Sequence, residues 1–220
     1  MASIHPYATI DMQHRSGDET CVLAGQVGNG RGDFRSLSEP LEWCGLRHAL
    51  IWSIRALVTL GSGDRRAAGQ HLDAAFAAAG ERGLPFIGPQ LYAARARLET
   101  DPAALRQTLV TGETMLAQSA LSLNYFVFYG AGIQTWVDRG DWAAAERYST
   151  LLETYAAAEP FSWADFVLAR GRALCRCGRS ETGVELVATL QALHQQAADA
   201  QTNLYLPSLA AALKRLGVAV

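Results

Sequence analysis

Lysine is almost missing from this sequence: of 19 basic residues only Lys214 is a lysine. The arginines form no run, so the skew points to a GC-rich coding sequence rather than to a binding surface. The 220 residues carry a formal net charge of -2, which gives no electrostatic reason to expect nucleic acid or an anionic membrane as partner. No stretch of 18 apolar residues occurs, and the start MASIHPYATIDMQHRSGDE has neither a basic nor an apolar leader region. No membrane span or signal peptide is read from it, and a cytoplasmic location is the expectation. The four cysteines, Cys21, Cys44, Cys175 and Cys177, are too few and too irregular for a disulfide framework and are expected to be free thiols.

Motifs that carry chemistry are scarce as well. The glycines from Gly25 to Gly32 are not followed by Gly-Lys-Ser/Thr, so the segment lacks the lysine and hydroxyl that a P-loop needs for phosphate and magnesium. Cys175 and Cys177 lie two apart, which on a helix turns their side chains about 200° away from each other and prevents joint chelation. Cys44 and His48 form a second weak pair on another helix. His48, His71 and His194 fall on separate helices without acidic partners in a recognisable motif. No catalytic residue, metal site or cofactor site is assigned, and no enzyme activity is expected. Nothing alternates with period two over a useful length, so no sheet is expected.

What the sequence has is periodicity. Helix-stopping positions recur at Gly61, Thr100, Gly140, Gly178 and Gly217, separated by 39, 40, 38 and 39 residues. The exception to glycine, Thr100, precedes Asp101-Pro102, a cap followed by proline at the first helical position. Four before each stop stand Leu57, Ala96, Trp136, Leu174 and Leu213, mostly bulky. Seven before stand Ile54, Ala93, Ile133, Gly171 and Ala210, mostly small. The fold expected is all-α: a TPR-like α-solenoid of about four helical hairpins plus a C-terminal helix, with a period of about 39 residues. The A helices are expected over 41–60, 86–99, 123–138, 161–177 and 204–216. The B helices are expected over 64–82, 102–120, 141–158 and 180–199, with breaks near Pro85, Ser122, Pro160 and Gln201. Residues 1–37, with glycines at 17, 25, 28, 30 and 32, read as a disordered or loosely attached segment, and 38–220 as the repeat domain.

The stretch Asn124 to Leu174 contains GDWAAAERY, Gly140 to Tyr148, and EPFSWADFVLARGRAL, Glu159 to Leu174. It resembles the C-terminal TPR-like region of large bacterial signalling proteins that combine a class III adenylate or guanylate cyclase domain, an AAA-type ATPase domain and helical repeats. The likeness is close over about a quarter of the chain. It departs at Gly130-Ala131, where the family pattern carries an Arg-Asp pair. The resemblance implies a regulatory or assembly role in signalling and carries over no catalytic residue, because the cyclase and ATPase motifs belong to domains not found in these residues.

In a TPR-like solenoid the A helices line the groove, which makes Asn124, Tyr125, Phe128, Trp163, Asp165, Arg170 and Arg172 candidate partner contacts, aromatics and arginines being the types that dominate binding hot spots. The bland alternative is inter-repeat packing for Tyr125, Phe128 and Trp163 and a solvated face for the arginines. Two functions follow. One is a module binding a protein or peptide partner, self-association included. The other is a sensor whose groove takes a small molecule, for which a closed apolar pocket around Tyr125, Phe128 and Trp163 would be needed.

Overall fold

The computed structural model describes residues 40–118, 122–158 and 161–218, with side chains from residue 45 onward. The expected loose segment 1–37 and the break at Pro160 lie outside the described residues, as does the glycine-rich stretch from Gly25. Among the described residues all regular structure is helical: α1 Pro40–Gly61, α2 Arg65–Leu98, α3 Pro102–Gln118, α4 Ser122–Val137, α5 Trp142–Ala156, α6 Ser162–Gly178, α7 Val184–Asp199 and α8 Leu206–Arg215. No helix among the described residues is long and apolar enough to cross a membrane.

The helix α2 is two helices fused end to end. The expected break near Pro85 falls instead at Gly80, whose φ of 58° and ψ of -177° lie in a region open almost only to glycine. Pro85 and Pro89 both lie inside the second half. Proline was a poor marker here because a helix survives one missing amide bond if packing holds it, whereas Gly80 reverses the backbone outright. Counting the halves of α2 separately, α1, 81–98, α4, α6 and α8 are the A helices, and 65–79, α3, α5 and α7 are the B helices.

Five helix ends close with the same pair of backbone bonds. At the end of α4, Gly140 N–H reaches Val137 O and Asp141 N–H reaches Trp136 O, with Gly140 at φ 71°. This is a Schellman closure, which satisfies carbonyls the helix leaves open. The same pattern centres on Gly63, Ser180, Gln201 and Gly217. The next helix is capped at once: the carboxylates of Asp64, Asp101 and Asp141 accept from the amides of Ala67, Ala104 and Ala144 at 2.7–3.0 Å. The expected stops at Gly61 and Gly178 are therefore each two residues early. Both are the last residues of their helices, and the left-handed residues are Gly63 and Ser180. With that shift the position seven before the turn reads Ala56, Ala93, Ile133, Ala173 and Ala210, and the first four are buried.

Consecutive helices pack as hairpins, and each A helix also meets the next A helix: α2 with α4, α4 with α6, and α6 with α8. The backbones of α3 and α5, and of α5 and α7, make no such close approach, although side chains of α3 and α5 still meet, so the helices lie closer together on the A side. Small residues make the close approaches possible. Phe128 lies over Gly112, Tyr148 over Gly132, Ile133 over Gly171 and Trp142 over Gly178. At Gly130 a Cβ would stand 2.9 Å from Trp163 Cη2, so glycine at that position leaves room for the indole. Helix 81–98 serves two apolar clusters, giving Ile87, Leu91 and Ala94 to one with α1, and Ala93 and Ala96 to the other, which runs on to α8.

Candidate functional site

The seven candidate residues do not line one surface. Asn124 and Phe128 are fully buried and are corrected to core. The Asn124 amide donates to Phe86 O at 2.7 Å and its carbonyl accepts from Gln90 at 3.0 Å, tying α4 to α2. Tyr125 stacks flat on Tyr155 with centroids 4.2 Å apart, and Trp163 is half-buried beside Gly130 and Phe161. Asp165 is exposed in the first turn of α6, where a carboxylate complements the helix dipole. Arg172 turns away from the A side: both its terminal nitrogens bond Glu153 of α5 at 2.9 and 2.6 Å, with Glu146 3.7 Å away.

The cysteine pair behaves as helical spacing requires. Cys175 Sγ faces Trp142 O of α5 and Cys177 Sγ faces Ala212 O of α8. Both are buried free thiols, and burial pushes the Cys175 thiol up to about 11, so it stays protonated and unreactive near neutrality.

Arg170 is the residue whose setting asks for a ligand. It is 1% exposed, yet it makes no ion pair among the described residues, unlike Arg95, Arg147, Arg172 and Arg176. It donates to Gln134 Oε1 of α4 and, at 2.9 Å, to Ser208 Oγ of α8, while its guanidinium lies 4.7 Å over the ring of Tyr205. Its Nε has no hydrogen-bond partner. Burial pulls its pKa down to about 10, with the charges of Tyr205 and Asp138 opposing and Arg97 adding to the fall. It is therefore still a cation at neutral pH. Three consecutive A helices thus hold a positive charge with no acid in direct contact; Asp138, which accepts from the amide of Gln134, supports it from one residue further away. A buried charge is ordinarily paired, because desolvation costs several kcal/mol per ion. Gln134 and Ser208 stand 36 and 38 residues either side of Arg170. That near-repeat spacing is the sequence signal for them, and it is hidden from a pattern of matching apolar positions because all three are polar.

A second polar group, on the B side, is balanced. Glu113 of α3 takes both terminal nitrogens of Arg147 at 2.8 and 2.9 Å and the hydroxyl of Tyr148 at 2.5 Å. Burial works to raise the Glu113 pKa, but the bonds from Arg147 and Tyr148 outweigh it and hold the carboxyl below its ordinary 4.5. Burial and the bond to Glu113 raise the Tyr148 phenol, so it stays neutral and donates. A depressed carboxylate stabilises the fold above its unfolded pKa and loses that contribution as pH falls through the folded value. Glu113→Gln is accordingly expected to cost about 2 kcal/mol at pH 7 and to flatten the loss of stability below pH 4.5. Urea unfolding of both proteins on either side of that pH checks this, and parallel acid losses would exclude Glu113 as the titrating group.

No family model matches the chain, and no curated protein or solved structure matches it.

Proposed function

We propose that this chain is a non-catalytic, TPR-like interaction module working in the cytoplasm. In this reading it is an α-solenoid of about four hairpins plus a C-terminal helix with a period of about 39 residues, and its A helices line a groove for a protein or peptide partner. The observation that carries it is Arg170: a guanidinium set by Gln134, Ser208 and Tyr205, with an unpartnered Nε and no acid in direct contact, Asp138 acting only from beyond Gln134. A carboxylate supplied by the partner is the counter-charge that Arg clamps best. The signalling context, a cyclase- and ATPase-related system, rests on the resemblance of residues 124–174 alone.

The sensor alternative called for an apolar pocket at Tyr125, Phe128 and Trp163. Those rings are occupied with one another's neighbours instead: Tyr125 with Tyr155, Phe128 with Gly112, Trp163 with Gly130. That packing favours the partner-binding reading.

An array of acidic peptides, each with a free C-terminal carboxylate and again as the amide, tests the groove. Arg170→Met keeps the stem and removes the charge, so its stability is expected to stay within about 1 kcal/mol of the parent, while affinity for the selected peptides falls tenfold or more. Binding that ignores both the peptide carboxylate and Arg170→Met, or no binding by the parent, removes the reading.

A further inference from the structure

Among the described residues α1 meets only α2. It buries Ala49, Ser53 and Ala56, and its other side is apolar and exposed. Leu50, Ile51, Ile54, Leu57 and Val58 are 37 to 66% exposed. At 3.6 residues per turn they fall within an arc of about 120°. Together they leave on the order of 400–500 Å² of apolar surface in one stripe, the size of patch that marks an interaction site on a monomer.

The stripe is symmetric about Ile54, with Ile51 and Leu57 three residues to either side and Leu50 and Val58 four to either side. Two such helices laid antiparallel about a two-fold axis through Ile54 pair Leu50 with Val58, Ile51 with Leu57, and Ile54 with itself. This is the self-complementarity that an isologous interface requires. One turn further out, exposed Arg47 meets exposed Gly61 of the other helix. There the glycine gives room, and the negative end of the partner's helix dipole faces the guanidinium. Two stripes brought fully together bury roughly 900 Å², short of the roughly 1,200 Å² at which specific interfaces begin, so Arg47, Gly61 and other flanking residues must supply the rest.

We infer that the free side of α1 is covered by a second copy of this chain, giving a two-fold dimer joined through an antiparallel α1 pair. Arg170 lies on α6, which does not meet α1, so Ile54→Glu is expected to leave the proposed peptide binding unchanged whether or not the dimer forms.

Light scattering on the eluting full chain is expected to give twice the chain mass, and Ile54→Glu the single mass with unchanged helicity. A register test follows in a Cys21→Ser, Cys44→Ser background. Ile54→Cys lies on the axis and is expected to form an inter-chain disulfide under mild oxidation. Val58→Cys is expected not to, since the two copies of that position stand about 12 Å apart along the helices. A monomeric parent chain overturns the inference, including the case in which the chain's own residues before Pro40 cover the stripe. A dimer indifferent to Ile54→Glu, or one in which Val58→Cys links as readily as Ile54→Cys, overturns it too.

Discussion

Phe128→Ala is expected to cost about 3–5 kcal/mol, a large part of the 5–15 kcal/mol that holds an ordinary domain together. Phe128 is fully buried, and its ring edge sits against Gly112 of α3, with the rings of Tyr129 and Tyr148 6.0 and 6.3 Å away. The ring therefore fills space among α3, α4 and α5, and glycine on the facing helix cannot expand into the void left behind. The ring packs across three helices, so the loss falls on their junction rather than on one helix. Urea unfolding followed by far-UV circular dichroism checks this. The midpoint is expected to fall sharply, and a smaller slope would show the two sides of the junction unfolding apart. A shift corresponding to less than about 1 kcal/mol would mean that the ring is not wedged as described.

A glycine-to-alanine pair is expected to move stability in opposite directions. In a helix interior alanine is favoured over glycine by about 1 kcal/mol. At Gly69 of α2 an added Cβ meets nothing within 4 Å, so Gly69→Ala is expected to stabilise by up to about that amount. At Gly132 of α4 the Cβ would lie 2.6 Å from Cε1 of Tyr148 and nearer still to Cδ1. The ring cannot step aside freely, because its hydroxyl is bonded to Glu113. Overpacking of this kind costs about 1–3 kcal/mol or more, which outweighs the propensity gain, and Gly132→Leu is expected to prevent this hairpin from closing. Thermal melts of the two alanine variants beside the parent decide it. A Gly132→Ala protein as stable as the parent would mean that the α4–α5 contact is looser than the structure shows.

Much of the helix pattern was legible in the residues. The expected A helix over 123–138 is observed as Ser122–Val137, and the expected B helix over 102–120 as Pro102–Gln118, because apolar spacing and Asp caps are local signals. The turn register was legible only in part. At Gly140 the stop and the left-handed residue coincide, whereas Gly178 was taken for a stop when its role is to let Trp142 lie against the end of α6. The same residue type serves a turn through its backbone freedom and a close contact through its missing side chain. Spacing alone does not separate the two. Ser180 and Gln201 then take left-handed conformations that composition gave no reason to suspect.

The candidate site was less legible. Tyr125, Phe128, Trp163 and Arg172 sit on helices that were placed correctly, but the side of a helix facing a neighbour follows from crossing geometry rather than from periodicity. Phe128 and Asn124 consequently turned inward. Arg172, two residues from Arg170 on the same helix, turned toward Glu153 of α5.

By itself the sequence determined that these residues form short amphipathic helices joined by capped turns at nearly regular intervals, since helix propensity, capping and hydrophobic period act over a few residues. Only the tertiary structure decided that Gly80 and not Pro85 divides α2, that Arg170 is buried with no acid in direct contact while Arg172 is paired, and that the apolar stripe on α1 faces nothing among the described residues. Those outcomes depend on which helices meet and at what distance. Contacts between different helices set them, and no local pattern encodes such contacts.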